Sequence, residues 1–412
     1  MNISGRVTLA LVALVTMVAF AACGEPPPPP QEEAAEDVLF LQSPKGLAVM
    51  ETGSQEPSFQ SVSAVQSSNW STVVRSSILS KTTRITALDP TTGAERWERE
   101  LDGKLQVKIV SDQGDLVAMG PLRENPYSYG RNKTTMVIAG SGMTEPRTIV
   151  IEGNYEPEAF STDGESLFVI KYLPNWNPKR YQVRRLVIGT GQVENVYTPH
   201  EELQRPMGGT ARIQAASPDG RRLYTLYTVG GGRSGQRYAF VHVLSLDKLW
   251  AHCIALPAQF ATGAESATAI TVSPDSKRVY VGNAIENRLA EIDTEKLEVV
   301  RTSTVDFGSK GFAQAAHDSG STLYLASGTT MTAVDVSNLT QSATWEMTEK
   351  VRGIQVTSDR RTVYVGQADR VSVVDPATGE TVDSLDPPGL GRINQLGPVM
   401  PALDDGIVKC AC

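Results

Sequence analysis

The sequence is poor in the residues and motifs that most often carry chemistry. Its 412 residues include only four Cys and four His. Four Cys are too few for a disulfide framework, and no two His residues stand at the spacing of zinc ligands. No Walker loop, Gly-x-Ser-x-Gly elbow or His-Glu-x-x-His motif occurs. From the sequence motifs we therefore expect no catalytic residue, no metal site and no cofactor.

The chain also lacks an excess of basic residues and a long hydrophobic run. With 46 acidic and 38 basic side chains, its formal net charge is −8, which argues against a nucleic-acid partner because such proteins present a basic face. The apolar run from Val7 to Phe20 has about fourteen residues, fewer than the ~20 that span a bilayer as a helix. Arg6 precedes this run and two small residues follow it, which is the order of a secretory signal. We expect an exported protein; an uncleaved anchor helix is the alternative.

The segment Phe20-Ala21-Ala22-Cys23 resembles a bacterial lipobox. The resemblance implies that residues 1–22 are a signal peptide and that Cys23 becomes the lipidated first residue of the mature chain. Residues 23–37 contain the proline run Pro26 to Pro30 and an acidic stretch, a composition that forms an extended linker rather than a packed fold. We expect a lipid anchor to the membrane, at the outer face of a cytoplasmic membrane or at an outer membrane.

One short pattern recurs along the rest of the chain and predicts the fold. It consists of an apolar strand, a Ser-Pro-Asp-Gly-like turn and a second strand rich in Leu, Val and Tyr, followed by two more alternating strands. The clearest copies are 216–224 and 272–281, and looser ones occur at 44–49, 111–117, 161–168, 318–324 and 358–365. Units of four strands, spaced about 40 to 56 residues apart, predict an all-β propeller. Seven copies predict seven blades over residues 38–390, with 391–412 as a tail or a propeller-closing segment.

Two kinds of repeat connect the chain to known propellers. Tyr280-Val281-Gly282-Asn283 and Tyr364-Val365-Gly366-Gln367 resemble YVTN-type repeats of the WD-repeat-like propeller superfamily. Ala87 to Trp97 and the partial copy Val374 to Glu380 are similar to quinoprotein-type propeller repeats. The resemblance implies the fold and leaves the function open, because propellers carry many unrelated activities.

The resemblance also implies that the loops between second and third strands lie on one face, together with the links between blades. These loops are short in the last three blades, at 282–287, 327–330 and 366–369, and long in the first four, at 52–81, 121–133, 173–180 and 230–237. The long loops carry aromatic and basic side chains of the kinds that interfaces favour. We predict a binding surface made of Tyr127, Tyr129, Arg131, Trp176, Lys179, Arg233 and Arg237. The alternative is that these loops vary without function.

These features predict a cell-envelope lipoprotein whose propeller binds or scaffolds a protein, a glycan or another envelope ligand. One alternative is a component of outer-membrane protein assembly, whose propeller lipoprotein the quinoprotein-type repeats resemble. Another is an exported enzyme, either a lactone hydrolase or a quinone-dependent dehydrogenase. Strand-ending Asp293, Asp335 and Asp375 are predicted to cap backbone amides rather than to catalyse. Cys253 is predicted to be an apolar filler, whereas Cys410 and Cys412 could oxidise, pair between molecules or bind a soft metal.

Overall fold

The part of the chain described below is an array of antiparallel sheets. The computed structural model describes residues 37–54, 56–122, 130–198, 206–230, 237–263, 267–318, 320–357, 359–390, 393, 395–397 and 400–401. Within these residues there are eight sheets, each made of at least four strands in meander order. First strands of successive sheets contact one another, as β8 contacts β12 and β20 contacts β24. This arrangement is an eight-bladed β-propeller.

Seven blades are built from four consecutive strands, with the first strand innermost. Blades 2 to 4 contain β4 (Ala64–Gln66), β5 (Val73–Ile78), β6 (Thr82–Leu88), β7 (Glu95–Asp102), β8 (Leu105–Val110), β9 (Leu116–Pro121), β10 (Lys133–Gly140), β11 (Arg147–Glu152), β12 (Tyr155–Phe160), β13 (Ser166–Leu173), β14 (Arg180–Val187) and β15 (Gln192–Asn195). Blades 5 and 6 contain β16 (Thr210–Ala216), β17 (Arg222–Val229), β18 (Tyr238–Ser245), β19 (Trp250–Leu256), β20 (Thr268–Val272), β21 (Arg278–Asn283), β22 (Arg288–Asp293) and β23 (Glu298–Thr304), with a 3₁₀ turn at Ala258–Ala261 between them. Blades 7 and 8 contain β24 (Ala313–His317), β25 (Thr322–Ser327), β26 (Thr330–Asp335), β27 (Thr340–Glu346), β28 (Gly353–Val356), β29 (Val363–Gly366), β30 (Val371–Val374) and β31 (Thr381–Leu385).

Blade 1 joins the two ends of the described chain. It contains β1 (Asp37–Ser43), β2 (Gly46–Glu51) and β3 (Phe59–Ser61) from one end, and β32 (Gln395–Leu396) and β33 (Met400–Pro401) from the other. Leu396 pairs with Leu41, and Met400 pairs with Val38. The segment from 395 to 401 therefore takes the innermost position, and β1 is the second strand of its blade.

The hydrophobic core lies between neighbouring blades. Val74 and Ile85 of blade 2 pack against Val107 and Met119 of blade 3, and all four side chains are buried. Outermost strands are exposed on one side: β7 exposes most of its charged residues and buries Leu101. Charged residues on such outer edges discourage pairing with another chain. The exposed charged residues therefore mark β7 as the strand on the solvent side of its blade.

Six of the turns between first and second strands repeat one six-residue geometry. In the turn starting at Ser217, the Ser217 hydroxyl accepts a hydrogen bond from the Arg222 amide at 2.9 Å and donates one to Asp219 Oδ1 at 2.6 Å. The fourth residue, Gly220, has a φ of 69°. Equivalent turns start at Ser67, Ser111, Ser161, Ser273 and Thr357, and their fourth residues also have positive φ. The predicted turn chemistry is therefore the repeating element of the fold.

The predicted all-β propeller is confirmed, whereas the predicted number of blades, seven, is wrong by one. The blade missing from the sequence pattern is blade 2, whose first turn, Ser67 to Thr72, contains neither Pro nor Gly. Its left-handed position is held by Trp70, with a φ of 62°. The 44–49 copy is also misplaced, because Pro44 lies in the hairpin between β1 and β2, the second and third strands of blade 1.

Candidate functional site

The propeller presents two different faces. Because neighbouring strands are antiparallel, turns between first and second strands share one end of every blade with turns between third and fourth strands. We call this end the turn face. The loops between second and third strands and the links between blades form the opposite end, which we call the loop face.

One predicted loop-face segment does not exist as a loop. Residues 52–81 contain β3, β4 and β5, so they complete blade 1 and begin blade 2. Phe59 lies in β3, and Trp70 lies in a turn on the turn face, where its ring packs 5.0 Å from the Phe40 ring. Small polar residues predominate in this stretch, so the sequence pattern did not reveal its strands. Long second-to-third-strand loops therefore occur in blades 3, 4 and 5 alone among the described blades.

The predicted binding residues fall into two groups. Arg131, Trp176, Lys179 and Arg237 are described, and each lies in or beside a second-to-third-strand loop. Tyr127, Tyr129 and Arg233 lie outside the described residues, as do Cys23, His200, Cys410 and Cys412. The structure therefore brings together candidates from blades 3 and 4, with Arg237 on the next blade.

The loops of blades 3 and 4 are tied to each other on the loop face. Gly130 and Trp176 form an isolated β-bridge, and the Arg131 amide donates to the Asn175 carbonyl at 3.2 Å. The Trp176 indole Nε1 donates to Asn132 Oδ1 at 2.8 Å. Trp176 nevertheless remains 55% exposed. A large aromatic side chain is thus held in a fixed position with much of its surface open to solvent.

Arg131 anchors this pair of loops rather than facing solvent. Its guanidinium forms an ion pair with Glu156 at 2.8 Å and also donates to the Tyr155 carbonyl. The Arg131 side chain is only 14% exposed. Lys179 and Arg237, in contrast, are exposed. The accessible members of the predicted surface are therefore Trp176, Lys179 and Arg237.

A large concavity lies on the turn face, where the sequence pattern did not point. It is a cavity of about 820 Å³ between the inner strands and turns of blades 2 to 5, within the size range of small-molecule sites. Six carboxylates and two basic side chains line it: Asp112, Asp115, Glu158, Asp163, Asp219 and Asp247, with Lys108 and Arg221. A second cavity of about 460 Å³ continues into the channel along blades 5 to 8.

The wall of the turn-face cavity contains a buried carboxyl group. Glu158 is 7% exposed, and its Oε1 accepts a hydrogen bond from Gln214 Nε2 at 3.2 Å. Its Oε2 is buried and has no hydrogen-bond partner among the described residues. Burial raises the pKa of Glu158 to about 7, although the Gln214 hydrogen bond opposes this shift.

A β-bulge places Glu158 in the wall. Pro157 pairs with Val169 and Ala159 pairs with Phe168, which leaves Glu158 as the extra residue of β12. The inner strand of blade 3 has the same irregularity at Lys108, another residue of the cavity wall. Bulges redirect side chains and are enriched near functional sites. The signal in the sequence is Glu156-Pro157-Glu158, a charged and proline-containing stretch where other inner strands are mostly apolar.

A row of polar side chains leads from Glu158 across one face of blade 5. Gln214, Thr225, His242 and Cys253 occupy successive paired positions on β16 to β19. Burial lowers the pKa of His242 to about 4 and raises the pKa of Cys253 to about 12. Both groups are therefore neutral at ordinary pH, and the Cys253 sulfur lies 3.6 Å from the Met207 sulfur.

Other chemical features are distributed rather than gathered. In the described residues, no three His, Cys, Asp or Glu side chains come together in a way that could hold a metal ion. Strand-ending Asp293, Asp335 and Asp375 accept hydrogen bonds from nearby backbone amides, as predicted. Within the same described part, no helix is long and apolar enough to cross a membrane.

Comparisons with known proteins agree on the fold. No protein-family model and no curated protein matches the chain. Among solved structures, apo AztD from Citrobacter koseri is 12% identical, with 89% of this chain and 97% of that chain covered and a TM-score of 0.55. The dihydro-heme d1 dehydrogenase NirN, in complex with DHE, is 14% identical, with 89% and 75% covered and a TM-score of 0.52. At these identities the likeness concerns the fold alone, and it agrees with the YVTN-type and WD-repeat-like resemblance of the sequence.

Proposed function

We propose that the protein is a lipid-anchored binding module of the cell envelope, which docks a partner protein on its loop face around Trp176. The observation that carries the proposal is the exposure of Trp176 in an ordered setting: 55% of its surface is open although its indole N–H and its backbone are both engaged. Tryptophan is enriched among the residues that dominate interface energies. A partner protein would gain apolar contact here without ordering a loose loop first.

The surroundings of Trp176 support a protein partner. Arg131, held by Glu156, fixes the neighbouring loop of blade 3. Lys179 is exposed a few residues beyond Trp176, and Arg237 is exposed on blade 5. Exposed cationic side chains on the same face as an exposed aromatic residue suit an acidic rim on the partner, because rim charges steer association.

The anchoring half of the proposal rests on the first forty residues. Cys23 follows the lipobox-like segment, and the proline run after it would hold the propeller away from the lipid surface. We expect the mature chain, extracted from host membranes, to begin at Cys23 and to carry acyl mass. Cys23→Ala should move the protein out of the membrane fraction. An unmodified, soluble mature chain would contradict the anchor.

The docking half is tested by crosslinking with a photoreactive residue at position 179, in the otherwise intact chain. We expect one dominant crosslinked protein, which then binds the purified propeller. Trp176→Ala should weaken that binding by about 30-fold, equivalent to a hot spot of roughly 2 kcal/mol. Tyr197→Ala is the matched control, because Tyr197 is 68% exposed but pairs with Trp250 at the turn-face end of β19, away from Trp176.

Three results would overturn the docking proposal. The first is equal loss of binding in the Trp176 and Tyr197 variants, which would indicate a diffuse contact. The second is unchanged binding in both variants. The third is crosslinked material that consists of glycan, with binding removed by glycosidase treatment. Melting temperatures of both variants should lie within a few degrees of that of the wild type, since both side chains are more than half exposed.

A further inference from the structure

The turn-face cavity combines an acidic lining with a buried, incompletely bonded carboxyl group. Most of its Asp residues already serve the turns: Asp115 accepts from Ser111, Asp163 from Ser161 and Asp219 from Ser217. Asp112 accepts a hydrogen bond from the Ser68 hydroxyl of blade 2 at 2.7 Å. These carboxylates give the cavity mouth a negative field, while their positions are fixed by local structure.

Glu158 differs from these residues in lacking a structural role for one of its oxygens. Its hydrogen bond to Gln214 engages Oε1, and Oε2 has no partner among the described residues although it is buried. Leaving a buried polar atom unpaired costs free energy, and a bulge in β12 is needed to place it there. Both features are expected where a ligand completes the hydrogen bonding.

The lining also indicates the kind of ligand. Phe160, Val110 and Ile109 provide apolar wall next to Glu158 and the acidic mouth. The described His, Cys, Asp and Glu side chains do not converge on a point as metal ligands would. A carboxyl oxygen in a partly apolar pocket suits a donor that carries its own N–H groups and a hydrocarbon portion.

We propose that the turn-face cavity binds a small organic cation, an amine or guanidinium compound, whose N–H groups donate hydrogen bonds to the carboxyl group of Glu158, a residue of the cavity wall. Gln214, which is exposed to the cavity while bonded to Oε1, holds the carboxyl group in place. The Gln214 amide also donates to Thr225 Oγ1 at 3.0 Å, so its orientation is fixed from the blade 5 side. The cation enters past the Asp residues of the turns, on the face opposite to Trp176.

The test is calorimetric titration of the purified chain with spermidine and with agmatine, in EDTA-containing buffer at pH 8. The uncharged probe 1,8-octanediol controls for apolar filling of the cavity. We expect one molecule of at least one cation to bind per chain and the diol not to bind. Glu158→Gln should weaken binding at least tenfold, because it removes the acceptor charge while keeping the shape. Glu165→Gln is the matched control, since Glu165 is an exposed acid of the same blade outside the cavity lining.

A second variant keeps the test decisive if Glu158→Gln fails to fold. Thr162 is exposed at the cavity mouth, and Thr162→Arg adds a competing guanidinium without touching the core. It should weaken cation binding at least fivefold and leave the melting temperature unchanged. Absence of binding by both cations at 5 mM would overturn the proposal. So would equal affinities of wild type and Glu158→Gln, or full competition by the diol.

Discussion

At the scale of single residues, the cost of burying Glu158 sets a pH dependence that can be measured. Its pKa is raised from 4.5 to about 7 because burial disfavours the charged form. The titratable groups that face it are Tyr172 of β13, Tyr181 of β14 and Tyr227 of β17, each with a raised pKa for which burial is the main cause. These tyrosines stay neutral below pH 9. Among these groups, Glu158 alone changes charge near neutrality.

The stability contribution of Glu158 has a definite sign. Its folded-state pKa lies above its unfolded-state value, so the contribution is fully present below about pH 4.5 and is lost as pH rises through about 7. We expect the free energy of unfolding of the wild type to fall, relative to that of Glu158→Gln, by roughly 3 kcal/mol between pH 4 and pH 8.5. Urea unfolding of both chains across this range measures the difference. Parallel pH profiles would mean that Glu158 is solvated in the folded protein.

At the scale of elements, the turns between third and fourth strands show how one geometry accepts different residues. The turn starting at Asp89 places Gly93 at a φ of 67°, and the equivalent Gly379 has a φ of 74°. In blades 5, 6 and 7 the same position is taken by Leu249, Leu297 and Leu339, with φ values between 56° and 59°. The left-handed conformation is therefore a property of the turn, and glycine is not required for it.

The two glycines differ in what surrounds them. A methyl group on Gly93 would meet nothing within 4 Å, whereas one on Gly379 would overlap the Trp345 indole of blade 7. We expect Gly93→Ala to cost about 1 kcal/mol through its backbone alone. Gly379→Ala should cost about 2 kcal/mol more, because the indole must move. Equal losses in urea unfolding would show that Trp345 adjusts freely.

Turn chemistry explains which elements could be predicted from sequence. Copies with Pro, Asp or Gly at the turn, as at Ser217 to Gly220, could be recognised because these residues favour turn conformations. Blade 2 was not recognised in the sequence, because Trp70 occupies a turn position that Gly or a polar residue takes in the equivalent turns. The strands of blade 1 were assigned to the wrong positions, because its inner strand comes from residues 395–401. No local sequence pattern encodes this long-range pairing.

The candidate sites divide in the same way. Trp176 could be predicted because an aromatic residue in a long polar loop is visible in sequence. The turn-face cavity could not, because Lys108, Glu158 and Gln214 come from three blades and meet only after the ring forms. The bulge that redirects Glu158 is likewise a matter of register between β12 and β13.

At the scale of the whole molecule, closure of the ring joins blade 1 to blade 8. Besides the pairing of β32 and β33 with β1, the Tyr364 hydroxyl of blade 8 donates to Asp37 at 2.9 Å, and Lys45 donates to the Gly389 carbonyl. Trp70 lies against Gly397 just after β32, where any side chain would collide with the indole. Closure therefore involves blades 1, 2 and 8 together.

Removal of the closing strands should uncouple this ring. In the full chain, Leu39 and Leu41 pack with Leu396 and Ile393. A chain ending at Leu390 exposes these two leucines and leaves the inner edge of β1 unpaired. We expect its melting temperature to fall by at least about 10 °C, since losing a buried strand removes several kcal/mol and large domains shift by ~2–4 °C per kcal/mol.

A chain ending at Pro401 keeps β32 and β33 and serves as the control, with the melting temperature of the full chain. Adding the 391–401 peptide to the shorter chain should restore part of the loss, because the peptide can occupy the vacant inner position by strand addition. A shorter chain as stable as the control would show that blade 1 holds without its inner strand, and that the ring is closed by the contacts of Tyr364 and Lys45 instead.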